Sequence, residues 1–540
     1  MYSSKPSVNQ LIAQMHAHGI AHVVVCPGSR NAPIVNDLFE LARTTSIKLF
    51  PVTDERCAAF VAIGLYLATQ KPAAVCVTSG TALLNTLPAV AEAYYRHTPL
   101  LIVSADRPPQ DINQLKGQTL PQNGALLPYT PTWQLSEEGG QHCEECLSEA
   151  LAALSRNGGS PVHINVPLSE PLHIYNKEYI ALSAVVKNDA QKTDTPIVPS
   201  LMQRIMEARQ PTIVVGHMDF APEDLLSQLV AGHKCLVISD SISSLQTLVK
   251  SQQAQLRQLP NASCHHSFSP DLFIHIGGAL VEKRPLWLDG HENVPVIRIE
   301  ESADLSPQAF GRLEAVVHCS TVAALRQLTN LPAKESVKAL YAFCQNRSRD
   351  TSASFQLSQS ATVCRAFMDS LKTLSNHSHP IIHVGNSQVL RDMNQAAMNN
   401  PPCKLFCNRG VNGIDGSLSV AAGHSLATAQ NVYCVLGDLS FFYDSNALWN
   451  ERLQGNLRIL LINNGGGRIF QNVKGVSSSR AYQYIAGHHH STARGICESY
   501  SINYMAIKPQ DAIDNPQLFK QFAAPTTQES RPLLIECFCE

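Results

Sequence analysis

The chain has 540 residues, a formal net charge of −2 and few aromatic residues, 6% of the total. At about 150 residues per domain, this length predicts three or four domains. The near-neutral charge and the lack of a basic run with interleaved aromatics argue against a nucleic-acid partner, and no uninterrupted apolar stretch reaches the roughly 20 residues needed for membrane insertion.

The start of the chain and its cysteines predict a cytoplasmic protein. Residues 1–6 lack the apolar region of a signal peptide. The 16 cysteines are scattered and often lie inside apolar runs, which is typical of buried, reduced thiols. Cys143 and Cys146 form an isolated C-x-x-C pair. Because no second pair accompanies them, a position on an ordinary helix surface is favoured over a zinc or redox site.

Short apolar, β-branched runs alternate with helix-length segments along the first third of the chain. The Ala-rich stretches 58–68 and 82–95 are good helix formers. Strands that are apolar throughout and alternate with helices indicate a parallel sheet covered on both faces. The runs predicted as strands are 22–26, 49–52, 73–78, 100–104 and 161–167.

The same alternation continues through the rest of the chain. Two connections, around 187–199 and 331–336, are interpreted as linkers. The predicted fold class is therefore α/β, with three consecutive doubly wound domains and mainly parallel sheets, at 1–185, 195–332 and 345–540. The later runs predicted as strands are 212–216, 235–238, 272–278, 296–299, 315–318, 381–385, 432–436, 457–462 and 533–536.

Two polar residues follow apolar strands in the last third. Asp438 comes after Gly437, and Asn464 follows Asp438 by 26 positions. Ligands of open α/β sheets bind beyond the carboxyl ends of the strands. A carboxylate from Asp438, an amide oxygen from Asn464 and a backbone carbonyl from Gly466 suit Mg²⁺ that is also held by a diphosphate. Each motif alone also fits an ordinary turn.

Glu55 opens a predicted helix of small and apolar residues directly after a strand. A carboxylate there can simply favour the helix dipole. If the chain also holds a diphosphate site, Glu55 can instead bind thiamine, whose aminopyrimidine ring needs a hydrogen bond from a carboxylic acid to one of its nitrogens. Partial burial that raises the pKa of this carboxyl is then expected.

The two elements resemble the thiamine-diphosphate decarboxylase-like superfamily. That superfamily has a pyrimidine-binding, a central and a diphosphate-binding domain, in the order predicted here. Its usual Gly-Asp-Gly motif reads Gly437-Asp438-Leu439 in this chain. This departure makes a generic decarboxylase or an acetohydroxyacid synthase less favoured.

Local motifs narrow the resemblance further. They are Cys-Pro-Gly-Ser-Arg-Asn-Ala-Pro at 26–33, Thr-Asp-Glu-Arg at 53–56, Thr-Ser-Gly-Thr-Ala at 78–82, Ser-Ala-Asp-Arg-Pro-Pro at 104–109, Asn-Arg-Gly from 408, Gly-Ile-Asp-Gly at 413–416 and Gly-Asp-Leu-Ser-Phe at 437–441. With these motifs the chain resembles the family of 2-succinyl-5-enolpyruvyl-6-hydroxy-3-cyclohexene-1-carboxylate synthases of menaquinone biosynthesis. The resemblance covers the first and last domains well and the middle domain thinly, and it weakens after Phe470.

The resemblance implies a transferase that uses thiamine diphosphate with Mg²⁺ or Mn²⁺. Its substrates are 2-oxoglutarate, which is decarboxylated, and isochorismate, to which the resulting succinyl carbanion equivalent is added. The family builds its site between the pyrimidine domain of one subunit and the diphosphate domain of another. A homodimer or homotetramer is therefore implied.

The resemblance also assigns residues to roles. Glu55 activates the cofactor, and the acids need cations, preferably guanidinium groups. The residues implied in catalysis are Glu55, Arg30, Gln118, Arg391 and Arg409. Those implied in cofactor binding also include Ser387, Ile414, Gly437, Asp438, Leu439, Ser440, Asn464, Ile469 and Phe470. Those implied in substrate binding are Ser29, Arg30, Arg107, Gln118, Lys283, Arg284, Ser387, Arg391, Arg409 and Phe470.

Several alternatives stay open at this stage. Each arginine alone fits a solvated surface position, and Ile414, Ile469 and Phe470 fit ordinary hydrophobic packing. The His488–His490 run lies in a polar, loop-like segment and is favoured neither as a catalytic nor as a metal site. Another thiamine-diphosphate enzyme, such as a 2-oxoacid decarboxylase, and a non-catalytic nucleotide- or effector-binding α/β protein are the competing functions.

Overall fold

The computed structural model describes residues 1–182, 196–243, 245, 268–347, 357–372, 379–397, 403–524 and 530–539. Within these ranges, no helix has the length and apolar character that crossing a membrane requires. The linker predicted around 187–199 falls largely outside the described residues.

The first domain is a parallel sheet covered by helices on both faces. Its strands are β1 (Tyr2–Ser3), β2 (His22–Val25), β3 (Lys48–Pro51), β4 (Ala73–Val77), β5 (Leu100–Asp106), β6 (Thr132–Gln134), β7 (Pro161–Pro167) and β8 (Tyr175–Lys177). Its helices are α1 (Pro6–Ala17), α2 (Ala32–Ala42), α3 (Glu55–Thr69), α4 (Thr81–Asn85), α5 (Leu87–Arg96) and α6 (Gln141–Ala153). The six-stranded order is β3-β2-β4-β5-β7-β6, and β1 pairs with β8 antiparallel. Every residue of β4, β5 and β7 is buried, as apolar strands between two helical layers require.

The second domain repeats this arrangement with five parallel strands. The strands are β9 (Pro211–Val215), β10 (Leu236–Ser239), β11 (Leu272–Ile276), β12 (Pro295–Glu300) and β13 (Arg312–His318), in the order β10-β9-β11-β12-β13. The described helices are α7 (Pro199–Glu207), α8 (Glu223–Ala231), α9 (Thr321–Leu328) and α10 (Glu335–Arg347).

The third domain has a six-stranded parallel sheet. The strands are β14 (Ile381–Val384), β15 (Lys404–Cys407), β16 (Val432–Gly437), β17 (Leu457–Asn463), β18 (Asn503–Ile507) and β19 (Leu533–Phe538), in the order β15-β14-β16-β17-β19-β18. The described helices are α11 (Gln359–Leu371), α12 (Gln388–Ala397), α13 (Ser417–Leu426), α14 (Asp438–Tyr443), α15 (Tyr482–Ala486), α16 (Arg494–Ser499), α17 (Pro509–Asp514) and α18 (Pro516–Ala523).

Three successive parallel sheets confirm the predicted α/β class. Leu331, at the start of the linker predicted around 331–336, is buried in the core of the second domain. Helix α10, which begins directly afterwards, adds Val337, Leu340 and Tyr341 to the same core. The domain bounds 1–185, 195–332 and 345–540 stay predictions.

The first and third domains share one hydrophobic core. It includes Phe60 and Val61 of α3 together with Val420 and Ala421 of α13. The two helices cross at glycines: a Cβ on Gly64 would lie 2.1 Å from the Val420 carbonyl oxygen. This crossing fixes how the first and third domains of one chain are oriented relative to each other.

Candidate active site

The strand-end loops of β16 and β17 meet at Asp438. The two strands pair in parallel, with Gly437 opposite Ile462, so the loops that follow them are neighbours. Asp438 is 3% exposed. Its Oδ2 accepts the backbone N–H groups of Asn464 at 2.9 Å and Gly466 at 3.1 Å, and its Oδ1 accepts the N–H of Leu439 at 2.7 Å. The structure therefore brings together the residues predicted to hold a metal and a diphosphate.

The donor set at this point fits a hard cation. Asn464 Oδ1 is buried and has no hydrogen-bond partner, although it lies beside a buried carboxylate. An unpaired buried acceptor is costly, and Mg²⁺ or Mn²⁺ prefers such oxygen ligands. Gly466 has a φ of +141°, and a Cβ there would lie 2.9 Å from the Ala486 carbonyl oxygen, so the turn requires glycine. Asp438, Asn464 and the Gly466 carbonyl are thus suited to hold the cation.

A softer metal site is absent from the described part of the chain. No group of three or more His, Cys, Asp or Glu side chains comes together there. Cys143 is buried in α6, and Cys146 is half-buried one turn later. The pair therefore lies on an ordinary helix.

Glu55 begins α3, as the sequence predicts. The helix is capped by Asp54, whose Oδ1 accepts the N–H groups of Arg56 at 2.9 Å and Cys57 at 3.1 Å. Since Asp54 already satisfies the end of the helix, the half-buried Glu55 carboxylate is not needed as a cap. Its Oε2 accepts a hydrogen bond from Asn85 Nδ2 at 3.1 Å.

A first group of predicted substrate residues lies at the carboxyl end of the first sheet. Arg30 is buried; its Nη1 donates to the Leu168 carbonyl at 2.9 Å, and its Nη2 lies 3.1 Å from Glu170 Oε1. Arg107 Nε donates to the Gly117 carbonyl at 2.9 Å, next to Gln118. Ser29 and Gln118 are exposed, and Gln118 has a φ of +55°.

The turn of Gln118 packs against Gly80, where a Cβ would lie 3.2 Å from the Gln118 carbonyl oxygen. Gln122, which the sequence did not single out, holds this region in place. Its Oε1 accepts the Gly80 N–H at 2.7 Å, and its Nε2 donates to Asn165 Oδ1 at 2.7 Å. The surface turn of Gln118 therefore rests on a buried polar network.

A second group lies where the third domain meets the second. Ser387 has a φ of +77° at the end of β14, and its carbonyl accepts a hydrogen bond from Arg391 Nη1 at 3.0 Å. Arg391 Nε also lies 3.1 Å from Glu282 Oε1 of the second domain. Arg409 donates to the Leu280 carbonyl, and its buried Nε has no hydrogen-bond partner.

Lys283 belongs to the same second-domain loop and is exposed. Its neighbour Arg284 is also exposed, but it pairs with Asp289 at 3.2 Å and Glu292 at 2.7 Å. Those surface ion pairs occupy the Arg284 guanidinium in this structure. Its predicted role in substrate binding stays a prediction.

The apolar candidates differ in their surroundings. Ile414 is 40% exposed, so core packing within this chain does not explain it. Ile469 and Phe470 are half-buried in the short helical turn Arg468–Asn472, directly after the Gly466 loop. Leu439 and Ser440 lie in the first turn of α14, after Gly437.

A buried charge network joins the three domains behind Arg409. Glu92 accepts the N–H groups of Gly410 at 2.9 Å and Val411 at 2.7 Å. One turn later, Arg96 forms two hydrogen bonds of 2.7 Å with the carboxylate of Asp219. Burial opposes ionisation of Asp219, but Arg96 beside it holds the pKa of that carboxyl well below its usual range. Sequence reasoning missed this network.

The spacing of Glu92 and Arg96, four positions apart on a helix, is usually read as a surface ion pair. Both residues are instead buried. His489 was also missed as a neighbour of the metal loop: its Nε2 lies 3.5 Å from Asp438 Oδ2. The only sequence signal for it was the His488–His490 run, which carries no helical spacing.

Comparison with known proteins adds two findings. Residues 7–125 match the family model described as thiamine pyrophosphate enzyme, N-terminal TPP binding domain. Three curated relatives are named 2-succinyl-5-enolpyruvyl-6-hydroxy-3-cyclohexene-1-carboxylate synthase. The protein of Bacteroides thetaiotaomicron is 35% identical over 564 residues, covering 100% of this chain and 96% of its own. That of Phocaeicola vulgatus is 33% identical, with 100% and 96% covered, and that of Desulfotalea psychrophila is 34% identical, with 93% of each chain covered.

Proposed function

The chain belongs to the family of 2-succinyl-5-enolpyruvyl-6-hydroxy-3-cyclohexene-1-carboxylate synthases, and from that premise we propose that it carries out this reaction in menaquinone biosynthesis. It is a transferase that depends on thiamine diphosphate. The four-carbon unit left when 2-oxoglutarate loses CO₂ is joined to isochorismate, which gives the product and CO₂. The site of action is the cytoplasm.

The observation that carries this proposal is the loop at Asp438: its buried carboxylate accepts the backbone N–H of Asn464, and the side-chain oxygen of the same Asn464 is buried without a donor. A carboxylate oxygen and an amide oxygen would supply two of the six oxygen ligands that Mg²⁺ prefers. Asp438, Asn464 and the Gly466 carbonyl would hold the Mg²⁺ or Mn²⁺ that accompanies the diphosphate. Gly437, Leu439 and Ser440 approach the diphosphate at the start of α14.

The cofactor, when bound, supplies the electron sink for loss of CO₂. Glu55 holds a proton on the pyrimidine ring, and the hydrogen bond from Asn85 orients its carboxylate. Ile414 would support the cofactor, and the partial exposure of its side chain is compatible with that contact. Ile469 and Phe470 exclude water from the reacting carbon.

The two substrates carry carboxylates, and two sets of predicted residues supply positively charged side chains that can bind them. Ser29, Arg30, Arg107 and Gln118 form one group, at the end of the first sheet. Ser387, Arg391 and Arg409 form the other with the loop of Lys283 and Arg284, at the junction of the second and third domains. Guanidinium groups bind carboxylates in bidentate fashion, which positions a substrate as well as neutralising its charge.

The complete site is proposed to form by self-association. Glu55 bonds to Asn85 in the first domain, whereas Asp438 bonds to the β17 loop in the third. We propose that the first domain of one subunit supplies Glu55 to the third domain of its partner, in a homodimer or homotetramer. Several large side chains stay exposed on the single chain, among them Tyr443, Trp449 and Val411, as such a contact requires.

Product formation tests the reaction. The protein is incubated with 2-oxoglutarate, isochorismate, thiamine diphosphate and Mg²⁺, and the adduct is sought by mass spectrometry. The proposal predicts the adduct. Consumption of another oxoacid with release of its aldehyde would favour a 2-oxoacid decarboxylase, and no turnover at all would favour a binding protein.

Glu55→Gln tests the activating carboxyl. We expect near-complete loss of 2-oxoglutarate decarboxylation with the fold retained, since glutamine cannot share a proton with the pyrimidine ring. Circular dichroism provides the control for folding. Turnover at the wild-type rate in this variant would contradict the mechanism.

Mixing inactive variants tests the shared site. Glu55→Gln and Asp438→Asn lie in different halves of the proposed site, so a heterodimer regains one site without either substitution. After the subunits are exchanged, activity should reappear in the mixture but in neither variant alone. A mixture that stays inactive despite exchange, seen by native mass spectrometry, would place both halves in one chain.

A further inference from the structure

His489 lies next to Asp438, whose carboxylate is proposed to bind the metal ion. Its Nε2 is 3.5 Å from Asp438 Oδ2, and its side chain is 16% exposed. The backbone holds the residue there, because the His489 N–H donates to the Gly465 carbonyl at 3.1 Å. The ring also packs edge-on against Phe442, with a centroid distance of 5.2 Å. The position of the ring is thus set by backbone and packing.

The hydrogen bonds of the ring fix its tautomer. The backbone N–H of Ser491 donates to His489 Nδ1 at 3.1 Å. In a neutral imidazole, one nitrogen accepts and the other carries the proton. Nδ1 is the acceptor, so Nε2 carries the proton and is a donor directed at Asp438. The same Nε2 is buried and has no hydrogen-bond partner.

A buried donor without a partner is costly, because the desolvation of its N–H is not compensated. At 3.5 Å, the contact with Asp438 is too long for a hydrogen bond. Oδ2 already accepts two backbone N–H groups, from Asn464 and Gly466. The unpaired Nε2–H of His489 is explained if it forms a hydrogen bond with Asp438 once the Asp438 carboxylate binds a cation.

We propose that His489 positions Asp438 for the metal ion. Its Nε2–H donates to the carboxylate oxygen of Asp438 that does not face the cation, and so orients the other oxygen toward the cation. Carboxylates that bind metals are commonly held by such outer hydrogen bonds. The inference rests on the proposed function only in requiring a cation held with the diphosphate.

Two substitutions separate the two ring nitrogens. In His489→Asn, the amide oxygen replaces Nδ1 as the acceptor for Ser491, but the donor toward Asp438 is lost. In His489→Gln, the longer amide places an N–H near the position of Nε2, and the acceptor for Ser491 is lost. His490, the exposed neighbour, gives the matched control His490→Asn.

The measurement is the affinity for Mn²⁺ in the presence of saturating thiamine diphosphate, read from the electron paramagnetic resonance of free Mn²⁺. We expect His489→Asn to weaken Mn²⁺ binding about 10–100-fold, the range for outer hydrogen-bond partners of metal ligands. His489→Gln should stay close to the wild type, as should His490→Asn. The melting temperature of the cofactor-free protein should not fall in His489→Asn, because the lost donor has no partner there.

Two results would overturn the inference. Wild-type Mn²⁺ affinity in His489→Asn would show that the donor does nothing for the metal. Weaker binding in His489→Gln than in His489→Asn would assign the residue to the Ser491 turn instead. If the wild-type protein itself bound no Mn²⁺ with thiamine diphosphate, the proposed cofactor function would fail first, and the inference with it.

Discussion

Replacing Gly64 with alanine tests the packing of the first domain on the third. A Cβ at this position would lie 2.1 Å from the Val420 carbonyl oxygen, whereas ordinary contacts begin at 3.4 Å. Helices α3 and α13 must therefore move apart by roughly 1 Å to accept a methyl group, in a core where packing is close. Gly423, on the facing helix, has the same restriction, with the Val61 carbonyl oxygen 2.1 Å from its Cβ position.

Two opposing effects set the magnitude. Alanine is a better helix former than glycine, which favours the variant by about 0.5–1 kcal/mol. Overpacking a filled core costs typically about 1–3 kcal/mol, and a clash with rigid backbone lies at the upper end. We therefore expect the free energy of unfolding to fall by about 2 kcal/mol in Gly64→Ala.

Urea unfolding followed by circular dichroism measures this change, and Gly495→Ala is the matched control. Gly495 is also helical, in α16, but a Cβ there meets nothing within 4 Å. The control should therefore unfold at an equal or slightly higher urea concentration than the wild type. If Gly64→Ala shifted the midpoint upward as well, the close crossing of the two helices would be refuted.

Three further predictions concern buried polar groups. His424 bonds to His383 at 3.0 Å, and burial lowers the pKa of His424 to about 4; its neutral form is therefore favoured on folding. The pKa of histidine in the unfolded chain is about 6.5, so the contribution of His424 to the free energy of unfolding is complete above that pH and falls as the pH drops toward 4. At pH 5 the loss from this residue is about 2 kcal/mol. Equal urea midpoints at pH 7.5 and pH 5 would contradict this prediction. Glu92→Gln should lower the free energy of unfolding by about 1.5–3 kcal/mol, as expected for losing a hydrogen bond to a buried charge. Because the substitution loosens the loop of Arg409, it should also raise the KM of a substrate more than it lowers kcat. Unchanged stability and an unchanged KM would count against the network. Asn464→Ala should weaken Mn²⁺ binding at least 10-fold. The melting temperature of the cofactor-free protein should stay unchanged, because the side-chain oxygen of Asn464 has no partner there. Titration of the protein with Mn²⁺ in the presence of thiamine diphosphate tests this prediction.

Much of the architecture was predictable because buried parallel strands have continuous apolar runs in the sequence. The predicted strand 161–167 coincides with β7, and 457–462 lies within β17. Strands β1, β6, β8, β15 and β18 were missed. Strands β6 and β18 are sheet edges with half-exposed residues and therefore lack such a run. The linker around 331–336 stays a prediction, because a short polar stretch can also lie between two elements of one core.

The site divides in the same way. Asp438 and Asn464 were predictable as neighbours, because parallel strands place their carboxyl ends at one edge of the sheet. His489 and Glu92 were not predictable, since their positions depend on long connections that return to the site without a periodic pattern. The same reason applies to Gln122, whose partner Asn165 lies far along the chain. Tertiary contacts of this kind leave no local signal in a single sequence.

The central claim is that decarboxylation is coupled to carbon–carbon bond formation. The most direct measurement is the ratio of CO₂ released to adduct formed, with 2-oxoglutarate labelled separately at the carboxyl that is lost and at the carbons that are kept. In the presence of isochorismate, thiamine diphosphate and Mg²⁺, we predict one adduct for each CO₂, with the retained label in the adduct. Release of CO₂ with the retained label in the four-carbon aldehyde, and none in an adduct, would contradict the account.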